Sequence, residues 1–321
     1  MAQRADLEQR LAALHALRDQ AGTEQSRQQL TDALAAKTNL LAARAAAIIA
    51  EARLDGFEHL LQRAFTAFLR QSDKGCAAKT AIARALYELG ASTDDLFLTG
   101  ARHVQLESSY GGPVDVAAEL RGYCALGLVR MAHRDAMLVL TDLLADPQLQ
   151  ARIFAARGLA YSERPEAALL LRLKLLLGDP EPDVMAECMA ALVKLAPAAA
   201  LPLLAKFLEH ADPAVAGAAA MAIGESRQPE AFDLLRQHWD RSIDPEARRA
   251  AALGLAMLRT PQSLDYLLAQ LREAETPSAE ACLAALQIYQ RDASVRSQIE
   301  HIVHHRRSPK LTQTFTREFA P

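Results

Sequence analysis

Aromatic side chains are scarce in this chain. One tryptophan, six tyrosines and nine phenylalanines make up 5% of 321 residues, although 51% of the chain is apolar. Alanine supplies much of that difference, and alanine both costs least in a helix and lets neighbouring helices approach. Such a composition points to an all-α protein. Charge of one sign is lacking too: 36 Lys plus Arg stand against 39 Asp plus Glu, a net charge of -3. No global field would draw nucleic acid or an acidic membrane to it. The four cysteines, Cys76, Cys124, Cys188 and Cys282, include no C-x-x-C pair and each falls in a helical apolar pattern. They read as buried reduced thiols, which excludes a disulfide or zinc framework. Nowhere do eighteen apolar residues run together, and Met1-Ala2-Gln3-Arg4-Ala5-Asp6 carries charges where a signal peptide needs an apolar core. The expectation is a cytoplasmic, bacterial-type protein without membrane insertion. Phosphate loops, G-x-S-x-G, H-E-x-x-H and dinucleotide fingerprints are all missing. No cofactor or metal is therefore expected, although catalytic groups can converge from distant segments.

What the chain does have is periodic proline. Asp146-Pro147, Asp179-Pro180, Asp212-Pro213 and Asp244-Pro245 recur at 33, 33 and 32 residues, and Thr276-Pro277 follows at 32. Pro165, Pro197, Pro229 and Pro261 lie between them at a constant 32, so nine of fourteen prolines belong to one repeating unit. Proline lacks an N–H and has φ fixed near the helical value, which suits the first helical position and almost nowhere else in a helix. Two prolines per unit therefore predict two helix starts per unit. After the first of each pair, apolar or small residues recur at steps of four, seven and eight: Ala151/Ala155/Gly158/Leu159, Val184/Cys188/Ala191/Leu192, Val215/Ala219/Ala222/Ile223 and Ala247/Ala251/Gly254/Leu255. Ala78/Ile82/Ala85/Leu86 and Val116/Leu120/Tyr123/Cys124 extend the series upstream. Each alanine-rich helix follows a leucine-rich one, with Leu138, Leu140, Leu143 and Leu144, then Leu169, Leu170, Leu173, Leu176 and Leu177, as two examples. Bulky residues of one helix fill the space left by small ones on the next, so no unit buries its apolar face alone.

Leucine-rich helix, Asp-Pro turn and alanine-rich helix together resemble the HEAT repeat, in particular the short variety of the phycobilisome lyases, over roughly residues 57 to 290. The resemblance implies a right-handed α-solenoid, a superhelix of helical hairpins. The family's arginine, one residue after the first inward position, is matched by Arg152 and Arg248, whereas Ala117, Met185 and Ala216 depart from it. Ahead of the array, Leu7, Leu11, Leu14 and Leu17 mark one helix, and a second is expected from a Thr23 cap to about Arg53, roughly 45 Å long. Its stripe, Leu34, Thr38, Leu41, Ala45, Ile48 and Ala52, reads as an N-terminal helical hairpin over 1–55, or as a coiled coil forming a homodimer. The solenoid is expected over 56–292, and over 293–321 a capping helix followed by a tail without period, loosely held or draped over the cap.

One breach interrupts the period. From Ala78 to Val116 the spacing is 38, against 31 to 35 elsewhere. Ser92-Thr93-Asp94-Asp95 opens a helix that Gly100 is expected to stop, and a polar loop over 101–112 follows. Insertions in solenoids map to one face, often the binding face. Arg102, His103, Gln105, Glu107 and Tyr110 in the loop, with Asp115, Glu119 and Arg121 after it, are the candidate partner-binding residues; the alternative is a solvated loop whose charges pair with one another. His301, His304 and His305 have the spacing of two imidazoles on one metal, but Arg306 and Arg307 would repel a cation, so surface histidines are expected. With Lys310 they make a basic end. Trp239 reads as core or rim packing.

The function these features point to is a non-catalytic scaffold holding a protein or peptide on the concave face and the insertion. A bilin lyase-like subunit is the alternative that the resemblance implies, and it would use Arg102 and Arg121 against an anionic tetrapyrrole. A HEAT-like nucleic-acid binder is a further one, disfavoured by the mixed charge of Arg152, Arg157, Glu187, Lys194, Glu225, Arg248 and Arg249.

Overall fold

A computed structural model describes residues 2–319. Among the described residues the chain is an all-α repeat fold, interrupted by one two-stranded hairpin. It falls into two compact units, Met1–Ser162 and Glu163–Pro321. The first contains α1 (Ala2–Ala16), α2 (Glu24–Leu34), α3 (Asn39–Glu51), α4 (Glu58–Phe68), α5 (Ala77–Leu89), α6 (Asp94–Ala101), β1 (Leu106–Ser109), β2 (Gly112–Asp115), α7 (Ala118–Arg130), α8 (Ala136–Leu144) and α9 (Leu149–Ser162). The second contains α10 (Pro165–Leu177), α11 (Pro182–Leu195), α12 (Pro197–Phe207), α13 (Pro213–Glu225), α14 (Ala231–Arg241), α15 (Pro245–Leu258), α16 (Pro261–Glu273), α17 (Thr276–Ala285), α18 (Ala293–Arg306) and α19 (Pro309–Glu318). Within each unit alternate helices pack in a row: α3 on α5 on α7 on α9, and α11 on α13 on α15 on α17.

Proline does mark the helix starts, within two residues. Pro165, Pro197, Pro213, Pro245 and Pro261 are first residues of their helices. Where Asp212 and Asp244 precede, their carboxylates cap the helix by accepting the N–H of Ala214 (2.8 Å) and of Glu246 and Ala247. After Asp179-Pro180 the helix waits for a further proline, Pro182, while Asp179 accepts from Glu181 N. The small inward residues let backbones touch. A Cβ built on Gly224 would overlap the Gly254 carbonyl, and one on Gly254 the Ala220 carbonyl, so α13 and α15 meet main chain to main chain.

Four expectations change. The long second helix is two, α2 and α3, broken over residues 35–38, where Thr38 turns extended (φ -84°, ψ 111°). The break lets Leu30 and Leu34 of α2 and Leu41, Ala45 and Ile48 of α3 all be buried as α2 packs on α3 and α4, which one straight rod could not achieve. The stripe proposed for dimerisation is thus largely covered within the chain. Arg18 pairs with Glu51 at 2.9 Å, and α1 lies on α3. Second, α6 does stop early, at Ala101, but Gly100 is not its cap. It lies inside, where a Cβ would strike the Cys124 sulfur, so its role is close approach to α7. Third, α10 packs inward through Ala167, Leu171 and Leu175, leaving Leu169, Leu173, Leu176 and Leu177 in solvent. Fourth, the tail does lie over the cap, but as a regular helix, α19, where no period was expected. Ser308 caps it, Pro309 starts it, and Leu311 and Phe319 are buried as it packs on α17 and α18.

Candidate functional site

The insertion in the first unit is a β-hairpin rather than a loop. Leu106, Glu107, Ser108 and Ser109 pair with Asp115, Val114, Pro113 and Gly112, and Tyr110-Gly111 make the two-residue turn. Gly112 follows at φ +111°, a value that side chains rarely tolerate. The ladder continues past the strands through Val116 N donating to Gln105 O at 2.9 Å.

Two such short strands are not stable alone, and polar side chains fasten them to the helices. Asp115 Oδ1 accepts the N–H of Gln105 (3.1 Å) and Ala117 (3.0 Å), while Oδ2 accepts from Arg121 Nη1 (2.7 Å). Arg121 also forks onto Asp146, Nε to Oδ2 and Nη2 to Oδ1, both at 2.9 Å, and donates from Nη1 to the His103 carbonyl at 2.9 Å. Its side chain is only 4% exposed. Burial would raise the Asp115 carboxyl, but the N–H donors of Ala117 and Gln105 and the Arg121 guanidinium outweigh it and hold the group below its ordinary value. On the other strand Glu107 Oε1 accepts from Gly75 N (2.6 Å) and Gln105 Nε2 (2.7 Å), and Gln105 Nε2 reaches the Asp73 carbonyl at 2.7 Å. Asp73, paired with Lys79 at 3.1 Å, caps α5 through Ala78 N and Lys79 N.

The eight candidate residues therefore divide. Gln105, Glu107, Asp115 and Arg121 are spent on holding the hairpin. His103 lies beside them; its Nε2 is buried without a hydrogen bond, and burial with the nearby Lys79 keeps the imidazole below its usual range and so neutral. Arg102, Tyr110 and Glu119 are exposed to solvent. Since Arg121 lies between two carboxylates, the cation pair that the bilin-handling alternative would need is reduced to Arg102. Sequence reasoning missed Asp146 as a partner, treating it as a turn marker. The available signal was Arg121 itself, one residue after the second inward position Leu120, where it does one helical turn later what Ala117 cannot do.

Asp115, at the end of the hairpin, lines two open clefts of the first unit. One, of about 550 Å³, runs over the inner helices α3, α5, α7 and the start of α9; its floor is small, with Ala47, Ala77 and Ala81, and its walls carry Arg84, Glu119 and Tyr123. Arg84 pairs with Glu88 at 2.7 Å and lies 6.0 Å from the Tyr123 ring, which packs edge-on against Phe154. The other cleft, of about 400 Å³, is formed by Arg102, Val104, Leu106 and Pro113 against Val139 and Leu143 of α8. An apolar body with a few polar groups at its rim is a surface for holding a chain segment. The thiols do not contribute, since burial pushes Cys76 up to about 11 and Cys124 well above its ordinary value.

Among the described residues no group of three His, Cys, Asp or Glu could hold a metal ion, and no helix is long and apolar enough to cross a membrane. The His301 and His305 rings meet edge to face at 4.3 Å. The basic end is partly engaged within the chain: Arg306 donates to the Leu271 and Ala274 carbonyls, and Lys310 pairs with Glu280. Trp239 is 3% exposed, in the core as expected.

Comparison with known proteins gives one match by family. The family model for HEAT repeats matches residues 169–256 and 205–287. No curated protein matches the chain. Among solved structures, the complex of CpcE and CpcF of phycocyanin lyase from Nostoc sp. PCC7120 is similar at 21% identity and TM-score 0.41, covering 79% of this chain and 94% of that one. An engineered protein from a structural genomics consortium is similar at 18% identity and TM-score 0.42, over 97% of this chain and 91% of that one. Human deoxyhypusine hydroxylase in complex with glycerol follows at 21% identity and TM-score 0.34, over 78% and 90%. Likeness at this level transfers no residue role to the chain.

Proposed function

We propose, from the premise that residues 169–287 form HEAT repeats, that the chain is a non-catalytic interaction scaffold for a protein or peptide partner. The partner lies in the cleft over the inner helices of the first unit and is gripped at its rim by the hairpin. The observation that carries this reading is the pairing of a wide, small-residue cleft with a rigidly fastened hairpin that keeps Tyr110 fully in solvent (110% exposed). A large aromatic ring held outward at a turn tip is an anchor available to a partner. Mixed charge on the cleft walls, Arg84 with Glu88 and Glu119, favours a protein surface over a polyphosphate backbone.

The test is crosslinking capture from the native cell with the full chain and three variants. Ala81→Arg fills the cleft, Glu119→Lys inverts its wall and Tyr110→Ala removes the tip. A partner enriched by the parent chain and lost with Ala81→Arg and Glu119→Lys, at unchanged helicity, supports the reading. An identical set of captured proteins from parent and variants removes it.

A further inference from the structure

The hairpin of the first unit has two outer edges, and they are not equivalent. In an antiparallel pair, opposite residues alternate between those that exchange main-chain hydrogen bonds and those whose N–H and C=O point outward. The bond from Val116 N to Gln105 O fixes the phase. Glu107 with Val114 and Ser109 with Gly112 are then the bonded pairs, whereas Leu106 and Ser108 of β1, and Asp115 and Pro113 of β2, turn their main-chain groups away from the partner strand. The β2 edge is blunted, since Pro113 has no N–H to offer. The β1 edge is intact. Leu106 and Ser108 present two N–H and two C=O groups in one row; among the described residues no main-chain bond from outside the hairpin reaches them, and both residues are exposed, Leu106 by 64%.

Side chains alternate between the two faces of a strand. Glu107 shares one face with Gln105, and these two tie the hairpin to Gly75 and Asp73. Leu106 lies on the other face with Pro113, and both line the cleft of about 400 Å³ that Val139 and Leu143 of α8 complete. The fastening bonds thus leave the edge and its apolar side free. We propose that β1 is a docking edge for an extended segment of another protein, which adds to the hairpin as a third strand and sets an apolar side chain beside Leu106, on the cleft side. Main-chain pairing supplies the affinity of such a contact and alternate side chains its selectivity. A third strand with an apolar face is also what a two-stranded hairpin lacks for stability. A second copy of this chain fits less well: about a two-fold axis at Glu107 its Ser108 would stand opposite Leu106, and no apolar side chain would reach that position. Leu106, Ser108, Val139 and Leu143 do not line the inner-helix cleft, so this edge can be occupied whether or not that cleft holds a partner.

A display library of random nine-residue peptides, selected against the full chain, supplies the probe. Peptides with apolar residues at every second position should be enriched. An enriched peptide N-methylated at alternate residues, in the phase that faces β1, should bind about tenfold more weakly or worse, because the methyl groups replace the N–H donors; methylation in the other phase should matter little. Ser108→Pro, which copies on β1 what Pro113 does on β2, should weaken binding about tenfold while the hairpin still resists proteolysis. Leu106→Asp should weaken it from the cleft side, Val114→Ser on the opposite face should not, and hydrogen exchange at the Leu106 and Ser108 amides should slow when peptide binds. The proposal is overturned if no alternating sequence is enriched, if the two methylation phases weaken binding equally, or if Ser108→Pro with an intact hairpin binds as tightly as the parent chain. A dimer in sedimentation velocity that Ser108→Pro dissolves would give the edge to a second copy and overturn it as well.

Discussion

Replacing Arg121 by methionine isolates the contribution of the clamp that holds the hairpin. The side chain is 4% exposed, and Asp115 and Asp146, each 10% exposed, both lean on it. Methionine keeps most of the stem but leaves two part-buried carboxylates without their cation. Breaking a buried ion pair from one side costs about 3–5 kcal/mol, a large fraction of the 5–15 kcal/mol that a domain typically has. The acidity of the site then fixes a pH signature. In the parent chain Asp115 is held below its ordinary value, burial notwithstanding, by the Ala117 and Gln105 N–H groups and by Arg121. Such a group contributes stability that is present above its unfolded pKa, about 3.9, and lost as pH falls through the lower folded value. Without Arg121, burial of Asp115 is opposed less and its carboxylate binds a proton more readily. The variant should therefore recover as pH falls from about 7 to about 4.5, a window in which the parent's Asp115 keeps its charge. Urea titrations of both chains across that window measure the gap, which should be widest at neutral pH and shrink on acidification. A gap below about 1 kcal/mol at pH 7, or one that does not change with pH, would show that the fork seen between Arg121 and Asp146 contributes no more than a surface ion pair.

Glu107→Ala should free the Gly75 N–H and the Gln105 amide from the hairpin, and limited proteolysis should then cut within residues 105–116 while α5 and α7 keep their hydrogen-exchange protection. Gly254→Val should destabilise the second unit by about 1–3 kcal/mol through overpacking against the Ala220 carbonyl, read as a lowered thermal midpoint. The four buried cysteines should resist thiol reagents at pH 8 until the chain is unfolded. Burial pushes Cys76 up to about 11 and Cys188 up to about 12, so their neutral thiols favour the fold below the unfolded pKa near 8.5 and that stability drains away as pH rises. Denaturation midpoints measured from pH 8 to pH 11 should fall steadily.

The repeat was legible because its signals are local and chemically forced. Proline suits a helix start far better than a helix interior, where only Pro202 of α12 stands among the described residues, so Pro165, Pro197, Pro213, Pro245 and Pro261 announce their helices. Inward small residues were legible for a similar reason, since Gly254 stands where helix backbones touch, whereas Gly224, which meets it, lay outside the inward set. The break at residues 35–38 was not, because Ala35, Ala36 and Lys37 are all good helix formers and only the burial of two separate apolar faces bends the chain there. In α10 the leucine count hid the orientation. Of its seven leucines, only Leu171 and Leu175 are buried, one from each run of three, and Leu171 stands six residues after its proline as Leu203 and Leu235 do after theirs.

At the insertion the residues were found and their roles were not, and the reason is distance along the chain. Ser109-Tyr110-Gly111-Gly112 is a plausible hairpin turn on its own chemistry, but two strands of four residues have no sheet to join and would be marginal in water. What makes them stable is Asp146, 25 residues from Arg121, and Gly75, 32 residues from Glu107. Neither partner is visible from the insertion's own sequence. A residue dense in hydrogen-bonding groups can serve a partner or the fold, and only the count of its bonds distinguishes them. Arg121 makes four, so it belongs to the fold. Tyr110 stands fully in solvent at the tip of what those bonds hold in place, so the rigidity that removes Arg121 from the binding surface is what presents Tyr110 to it.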